Sequence, residues 1–248
     1  MEETEEVEEF ELEEEDCTVD LQPEADSVLE ACPRLLTMEM MKELTPQLPA
    51  SVQMMRWVRA YSIERDGDSF RSMLEKCSGF KNTVVVIKSS KGDLLGGYGT
   101  SPWQSQDGQT RRFYGNGESF VFASHPTDEE PNDQKLRVFK WAGHNTYCQM
   151  CDVEKGQIAM GGGGGDFGWI VEDNFTIGET NHCDTFANPR LIASRDGSFD
   201  IIGFEVYGFK SLAEIYALPI RKVSNTHRSL LDGVHLNGYL HTSGAAHR

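Results

Sequence analysis

Cys148-Gln149-Met150-Cys151 has the spacing of a paired metal-binding or redox thiol, and His182-Cys183 would bring the set to four ligands. Zinc sites of this kind need a second paired-ligand motif, and adjacent His and Cys close a tetrahedron poorly. On a strand, positions 148 and 151 would also point to opposite faces. The sequence therefore predicts ordinary buried or edge cysteines, with no metal and no cofactor. A second reading keeps Cys148, Cys151 or Cys183 as a reactive thiol of an enzyme or a direct peroxide scavenger. That chemistry needs a depressed thiol pKa, which a sequence does not display. Glu118, between the turn Gly115-Asn116-Gly117 and an aromatic run, could work as an acid or base or could satisfy turn amides. His125 and His144 lie in polar contexts that predict solvent exposure. No Ser-His-Asp or His-Glu-x-x-His arrangement is present, so no catalytic set is assigned.

The other unusual feature is Gly161-Gly162-Gly163-Gly164-Gly165-Asp166-Phe167-Gly168. Glycine loses the most backbone freedom on folding, so such a run needs a positive-φ path or a close approach to justify it. Gly163-x-Gly165-x-x-Gly168 matches the dinucleotide fingerprint in form only. That motif requires a helix after the glycines, whereas Trp169-Ile170-Val171 continues as a strand. No Lys-Ser/Thr follows, so a phosphate loop is absent as well. Asp166-Phe167-Gly168 spells the kinase metal triplet without any of that family's other motifs. The expected role of Gly161, Gly162, Gly163, Gly164 and Gly168 is to let neighbouring backbone or the aromatics Phe113, Phe120 and Trp141 come close.

The elements that must hold these residues begin with helices. Thr37 is placed to cap a short helix with Met38, Met41 and Leu44 on one face, ended by Pro46. A second helix is predicted over Ser51–Tyr61. A third follows Asp68 or Ser69 as cap, with Phe70, Met73, Leu74 and Cys77 on one face. After Gly79 the period changes to that of strands. Thr83–Ile87 and Leu94–Tyr98 read as a hairpin about Lys91-Gly92-Asp93. Further strands are predicted at Ser119–Ala123, Leu136–Trp141, Thr146–Met150, Gln157–Met160, Phe167–Val171 and Asp200–Phe209. Residues 103–112 and 126–134 read as polar loops, and a helical piece is expected over Leu212–Leu218. Short strands without alternating helices point to an α+β protein whose centre is a two-sheet antiparallel β-sandwich flanked by short helices.

The net charge of −17 is concentrated at one end. The first twenty residues hold twelve acids and no Lys or Arg, leaving 28 acids against 23 basic residues elsewhere. Residues 1–32 therefore read as an acidic disordered tail, 33–209 as the folded domain, and 210–248 as a mostly disordered polar tail. The body is not basic, which argues against nucleic acid. No apolar run is long enough to span a membrane, and neither a signal peptide nor a mitochondrial presequence opens the chain. A cytoplasmic or nuclear protein that is not secreted, with reduced cysteines, is the expectation.

Six blocks, taken together, resemble the TLDc domain of oxidation-resistance-type proteins. In order they are Tyr61-Ser62 with Arg65-Asp66-Gly67-x-Ser69; Phe113-Tyr114-Gly115-x-Gly117-Glu118-Ser119-Phe120; and Val138-x-Lys140-Trp141-x-Gly143-x-Asn145. The glycine run with Phe167-Gly168 follows, then Gly178 with Cys183-x-Thr185-Phe186-x-Asn188-x-x-Leu191, and finally Phe204-Glu205-Val206-Tyr207-Gly208. Tyr207 stands where the family often has Trp, and Thr180 where it often has Ser. The resemblance marks Cys183 and Glu205, along with Glu118 and the glycines, as motif residues of functional or structural weight. It implies the sandwich fold and a non-catalytic interaction module linked to oxidative stress. The implied partners are subunits of the vacuolar proton-pumping ATPase, with recruitment to endolysosomal membranes. It supplies no catalytic residues.

Overall fold

The computed structural model describes residues 34–104, 113–125, 135–172, 174–194 and 196–216. Both expected tails, apart from residues 210–216, and the expected polar loops after residue 104 and at 126–134 lie outside them.

The chain enters through α1 (Met38–Leu44), where Thr37 Oγ1 accepts from Met40 N as predicted. A 3-10 turn at Thr45–Gln47 carries Pro46, and the short α2 (Ala50–Gln53) follows. The predicted second helix then fails. Residues Arg56–Ser62 form strand β1, with Trp57, Arg59 and Tyr61 buried. The alternation was hidden because one inward position is an arginine, and Met54, inside the span read as helix, is 86% exposed. A four-residue helix α3 (Ile63–Asp66) leads to α4 (Phe70–Cys77), capped by Ser69 and burying Phe70, Met73 and Cys77 as its spacing requires.

Ten further strands lie among the described residues: β2 (Thr83–Ser89), β3 (Leu94–Gly99), β4 (Phe113–Tyr114), β5 (Phe120–Ser124), β6 (Arg137–Lys140), β7 (Gln149–Asp152), β8 (Gln157–Met160), β9 (Trp169–Glu172), β10 (Ile177–Glu179) and β11 (Ser198–Lys210). Every pairing is antiparallel. Hydrogen bonding runs in the order β4-β7-β8-β9-β10-β11-β2-β3-β5-β6, with β1 also on β11. The thirteen-residue β11 is the shared spine. Its first residues pair with β10, and from Ile201 onward it pairs with β2. The ladder thus splits into two halves that face each other.

Between them lies the main core. Val85, Ile87, Leu95 and Val121 from one half meet Ile158, Met160, Trp169 and Val171 from the other. Trp103, expected in a polar loop, is 3% exposed and packs 6.4 Å from Trp169, its Nε1 donating to Thr83 Oγ1 at 2.9 Å. Burying so large a ring is favourable once its N–H finds an acceptor. A second core lies on the outer face of the β2/β3/β5 half, where Met40, Met41, Leu44, Leu48 and Val52 cover Val84, Val86, Phe120 and Phe122. Residues 212–216 form one helical turn, in the described part of the expected C-terminal helical piece.

Candidate functional site

Antiparallel pairing brings the ends of β3, β6 and β8 and the starts of β5, β7 and β9 to one end of the sandwich. Four connections meet there: 115–119, 141–148, 161–168 and 181–188. Each is rich in Gly or Asn, residues that tolerate tight turns and satisfy backbone groups locally.

Thr185 is fully buried at their centre. Its Oγ1 accepts from Gly162 N at 3.0 Å and donates to Asn145 Oδ1 at 2.6 Å, while its own N–H donates to Gly162 O at 3.2 Å. Ala142 N donates to Thr185 O at 2.8 Å, tying in the loop after β6. Asn188 knits the last loop internally through Nδ2 to Asn181 O and Pro189 O, and its Oδ1 accepts from Cys183 Sγ at 3.0 Å. Asn116 O accepts from Cys148 Sγ at 3.1 Å, and Asn116 Oδ1 accepts from Glu118 N at 2.9 Å. These interlocked bonds, buried at Thr185 and Cys183 and part-buried around them, tie the four loops into one platform.

The glycines are needed because other groups occupy the space of their missing side chains. A Cβ on Gly161 would lie 2.5 Å from Cys183 Sγ; one on Gly162 would meet Phe113 and the Tyr147 Cβ, each at 2.9 Å. Gly168 is pressed against Met160 O. Of the three aromatics expected beside the run, only Phe113 is there. Trp141 instead lies over Gly117, where an added Cβ would come within 2.4 Å of its ring, and Phe120 packs beneath the helices. The strands β8 and β9 flank the run on both sides, and no helix follows it.

Above this support several side chains reach solvent. Trp141 is 41% and Tyr147 44% exposed, with Tyr147 backed by the Phe113 ring at 4.9 Å. Glu118, His144, Asp184 and the glycines 164 and 165 are exposed around them. A shallow groove of about 210 Å³ runs beside Glu118 between Pro49 and Lys140. Large exposed aromatics fixed on rigid backbone are the groups that anchor protein interfaces.

The thiols are placed differently. Cys148 precedes β7 rather than lying within it, so the strand parity rule does not apply, and both Cys148 and Cys151 enter the main core. Burial pushes the Cys148 thiol up to about 11 and that of Cys151 up to about 12. Cys183 is also raised by burial, against the pull of backbone N–H groups of Phe186 and Thr185. Protonated, enclosed sulfurs are poor nucleophiles and poor metal ligands. Among the described residues no cluster of three or more His, Cys, Asp or Glu is arranged to hold a metal ion.

Of the residues singled out from sequence, Glu118, Gly161, Gly162, Gly163, Gly164, Gly168 and Cys183 converge on this end. Glu205 does not. It is 2% exposed on β11, where its carboxylate accepts from Arg59 Nη1 at 2.7 Å, Tyr207 Oη at 2.6 Å and Leu35 N at 2.9 Å. His125, expected in solvent, instead contacts Asp93 Oδ1 through Nδ1 at 2.9 Å, at the other end of the sandwich. The organising role of Thr185, Asn145 and Asn188 had one sequence signal, their presence in the family-like blocks. Nothing in the sequence showed that Trp141 and Tyr147 would be presented outward.

The sequence model of the TLDc domain matches residues 29–210. The chain belongs to the TLDc domain family. It is 33% identical over 193 residues to oxidation resistance protein 1 of Kluyveromyces lactis, covering 70% of this chain and 75% of that protein. It is 32% identical over 169 residues to human nuclear receptor coactivator 7 and 32% over 177 residues to bovine oxidation resistance protein 1. Those matches cover 68% and 71% of this chain but only 16% and 18% of the two relatives, so the TLDc domain is a small part of each. No helix of the described residues is long and apolar enough to cross a membrane.

Proposed function

We propose that this TLDc protein is a non-catalytic interaction module acting in resistance to oxidative stress, through binding and regulation of the vacuolar proton-pumping ATPase. The observation that carries the reading is the end of the sandwich where Trp141 and Tyr147 stand exposed on the loop after β6, which Thr185 ties to the glycine loop. A preformed aromatic platform loses little conformational freedom on docking, which favours recognition over chemistry. The protonated, buried Cys148, Cys151 and Cys183 weigh against a thiol enzyme. The names of the relatives, oxidation resistance protein 1 among them, support the stress-related role, and the ATPase partner comes from the family resemblance; a cytoplasmic site of action is part of the same proposal. The acidic first twenty residues are assigned to tuning encounter with a basic partner surface.

The test is co-purification of the full chain from lysates of glucose-fed and glucose-starved cells. Recovery of ATPase subunits with the wild type in at least one state is expected. Their absence in both states overturns the partner assignment. Peroxide treatment followed by mass spectrometry of each cysteine separates the two chemistries, because a scavenger would show rapid, site-selective oxidation of the folded protein.

A further inference from the structure

Each of the two exposed aromatics on the platform has a carboxylate beside it. The Trp141 ring covers Gly117, where an added Cβ would come within 2.4 Å of it, and the next residue is the exposed Glu118. Tyr147 lies against Gly162, its Cβ 2.9 Å from where a glycine Cβ would be. Over the next residue, Gly163, lies the Asp184 carboxylate, 2.7 Å from the corresponding position. The missing side chains thus let a ring and a carboxylate sit one residue apart on each glycine turn. Both rings are held in place: Trp141 Nε1 donates to Asn145 O, and Tyr147 is backed by Phe113.

The four loops contain three exposed acids, Glu118, Asp166 and Asp184, and no Lys or Arg. Among the described residues none of the three pairs with a Lys or Arg, and the ionic contact of Asp184 is His182 Nε2 at 3.9 Å. Of the flanking cations, Arg190 is turned onto Asn181 Oδ1 at 3.2 Å, and Lys140 borders the groove beside Glu118. An aromatic face is itself electronegative, so a ring beside a carboxylate attracts a cation twice over. A guanidinium answers both groups at once, lying flat on the ring while its N–H fork reaches the carboxylate. An ammonium is a point charge and answers them less completely. The phosphates of a nucleic acid or an anionic lipid surface meet repulsion instead.

We propose that the Trp141–Glu118 and Tyr147–Asp184 pairs are seats for arginine side chains, and that the element docking on the platform is a basic, arginine-bearing segment of a protein partner. This rests on the platform being the docking surface proposed above, and it adds the chemistry of what docks. The protein makes a simpler contact of the same kind internally, with Lys210 Nζ 5.4 Å from the centroid of the Phe80 ring. The twelve acids of the first twenty residues have the same sign as the platform and draw the same partner toward it.

The experiment is NMR titration of the isotope-labelled full chain with a short blocked peptide of alternating Arg and Gly, and with its Lys and Glu counterparts. Salt at about 0.15 M screens the acidic run. Of the four tryptophans Trp57, Trp103 and Trp169 are buried, so the Trp141 indole N–H reports on the platform, and Trp141→Ala identifies its signal. A saturable shift of that signal and of the Gly162 and Gly163 amides is expected with the arginine peptide. The lysine peptide should bind at least about threefold more weakly, and the glutamate peptide should produce no shift. Glu118→Gln/Asp184→Asn should keep its Tm, because both side chains are exposed, and lose at least about fivefold in affinity for the arginine peptide. No shift with the arginine peptide, an equal response to either counterpart, or full affinity in the double variant overturns the proposal. A second arm separates it from the ATPase assignment, using Glu118→Lys/Asp184→Lys and the isolated cytosolic sector of the proton-pumping ATPase. Where the wild type binds the sector, the reversed variant should lose about tenfold or more, and equal binding overturns the arginine seats while the partner stands. A wild type that takes the arginine peptide but not the sector supports the seats and overturns the partner.

Discussion

Gly163 has φ +98°, and a Cβ there would meet the Asp184 carboxylate at 2.7–3.0 Å. Both facts penalise any side chain, and a β-branched one most. Gly163→Val is expected to lose about 2–3 kcal/mol of stability, read as a clearly lower Tm. An unchanged Tm would show that the loop is not held as described. Glu205 illustrates a different dependence. It is an ion pair with Arg59 whose side chains are 1% and 2% exposed, completed by Tyr207 and the Leu35 amide. Removing one partner strands the other charge, so Glu205→Ala should cost about 3–5 kcal/mol. Replacing Arg59 and Glu205 together by apolar residues of similar size should cost much less. If the single and double variants are equally destabilised, the charge pair is not the origin of the effect.

At the scale of elements, α4 was legible because its buried face holds Phe70, Met73 and Cys77 at helical spacing, and β2 because Thr83–Ile87 is a β-branched run buried on both sides of the sheet. β1 was not, since Arg59 occupies an inward position that only its distant partner on β11 makes tolerable. The two-residue β4 and three-residue β10 are too short to display a period, and their pairing partners alone define them. The platform was half legible. Its glycines, Glu118 and Cys183 stood out, but which aromatics face the run depends on where β6 ends, and this set Trp141 over Gly117. The turn from β1 into α4 also makes a pH prediction. Burial pulls the Asp66 carboxyl upward, but bonds from Arg65, Lys76 and the Ser62 amide overcome that and hold it at about 2 against an ordinary 3.8. A depressed carboxyl stabilises the fold above its unfolded pKa, and the contribution is lost as pH falls through the folded value. Between pH 4 and pH 2 the wild type should therefore lose more Tm than Asp66→Asn. Parallel curves for the two proteins would remove Asp66 from the acid limb.

For the whole molecule, the two ends of one sandwich have separate character. One is an aromatic, glycine-lined platform and the other carries the Gln157–Glu172 hydrogen bond, the buried Asp152 and the Asp93–His125 contact. The acidic run of the first twenty residues adds long-range charge to either. Its deletion is expected to slow association with a basic partner and flatten the salt dependence, while leaving dissociation nearly unchanged. A change confined to dissociation would instead mean that the run forms part of the bound interface. On the function proposed above, the platform is a binding surface. Its most direct measurement is the affinity of purified wild type, Trp141→Ala and Trp141→Ala/Tyr147→Ala for the isolated cytosolic sector of the proton-pumping ATPase, with Tm recorded for each. Binding by the wild type is expected, with a loss of at least tenfold in the double variant at nearly unchanged Tm. Equal affinity of all three folded proteins, or no binding by any of them, would contradict it.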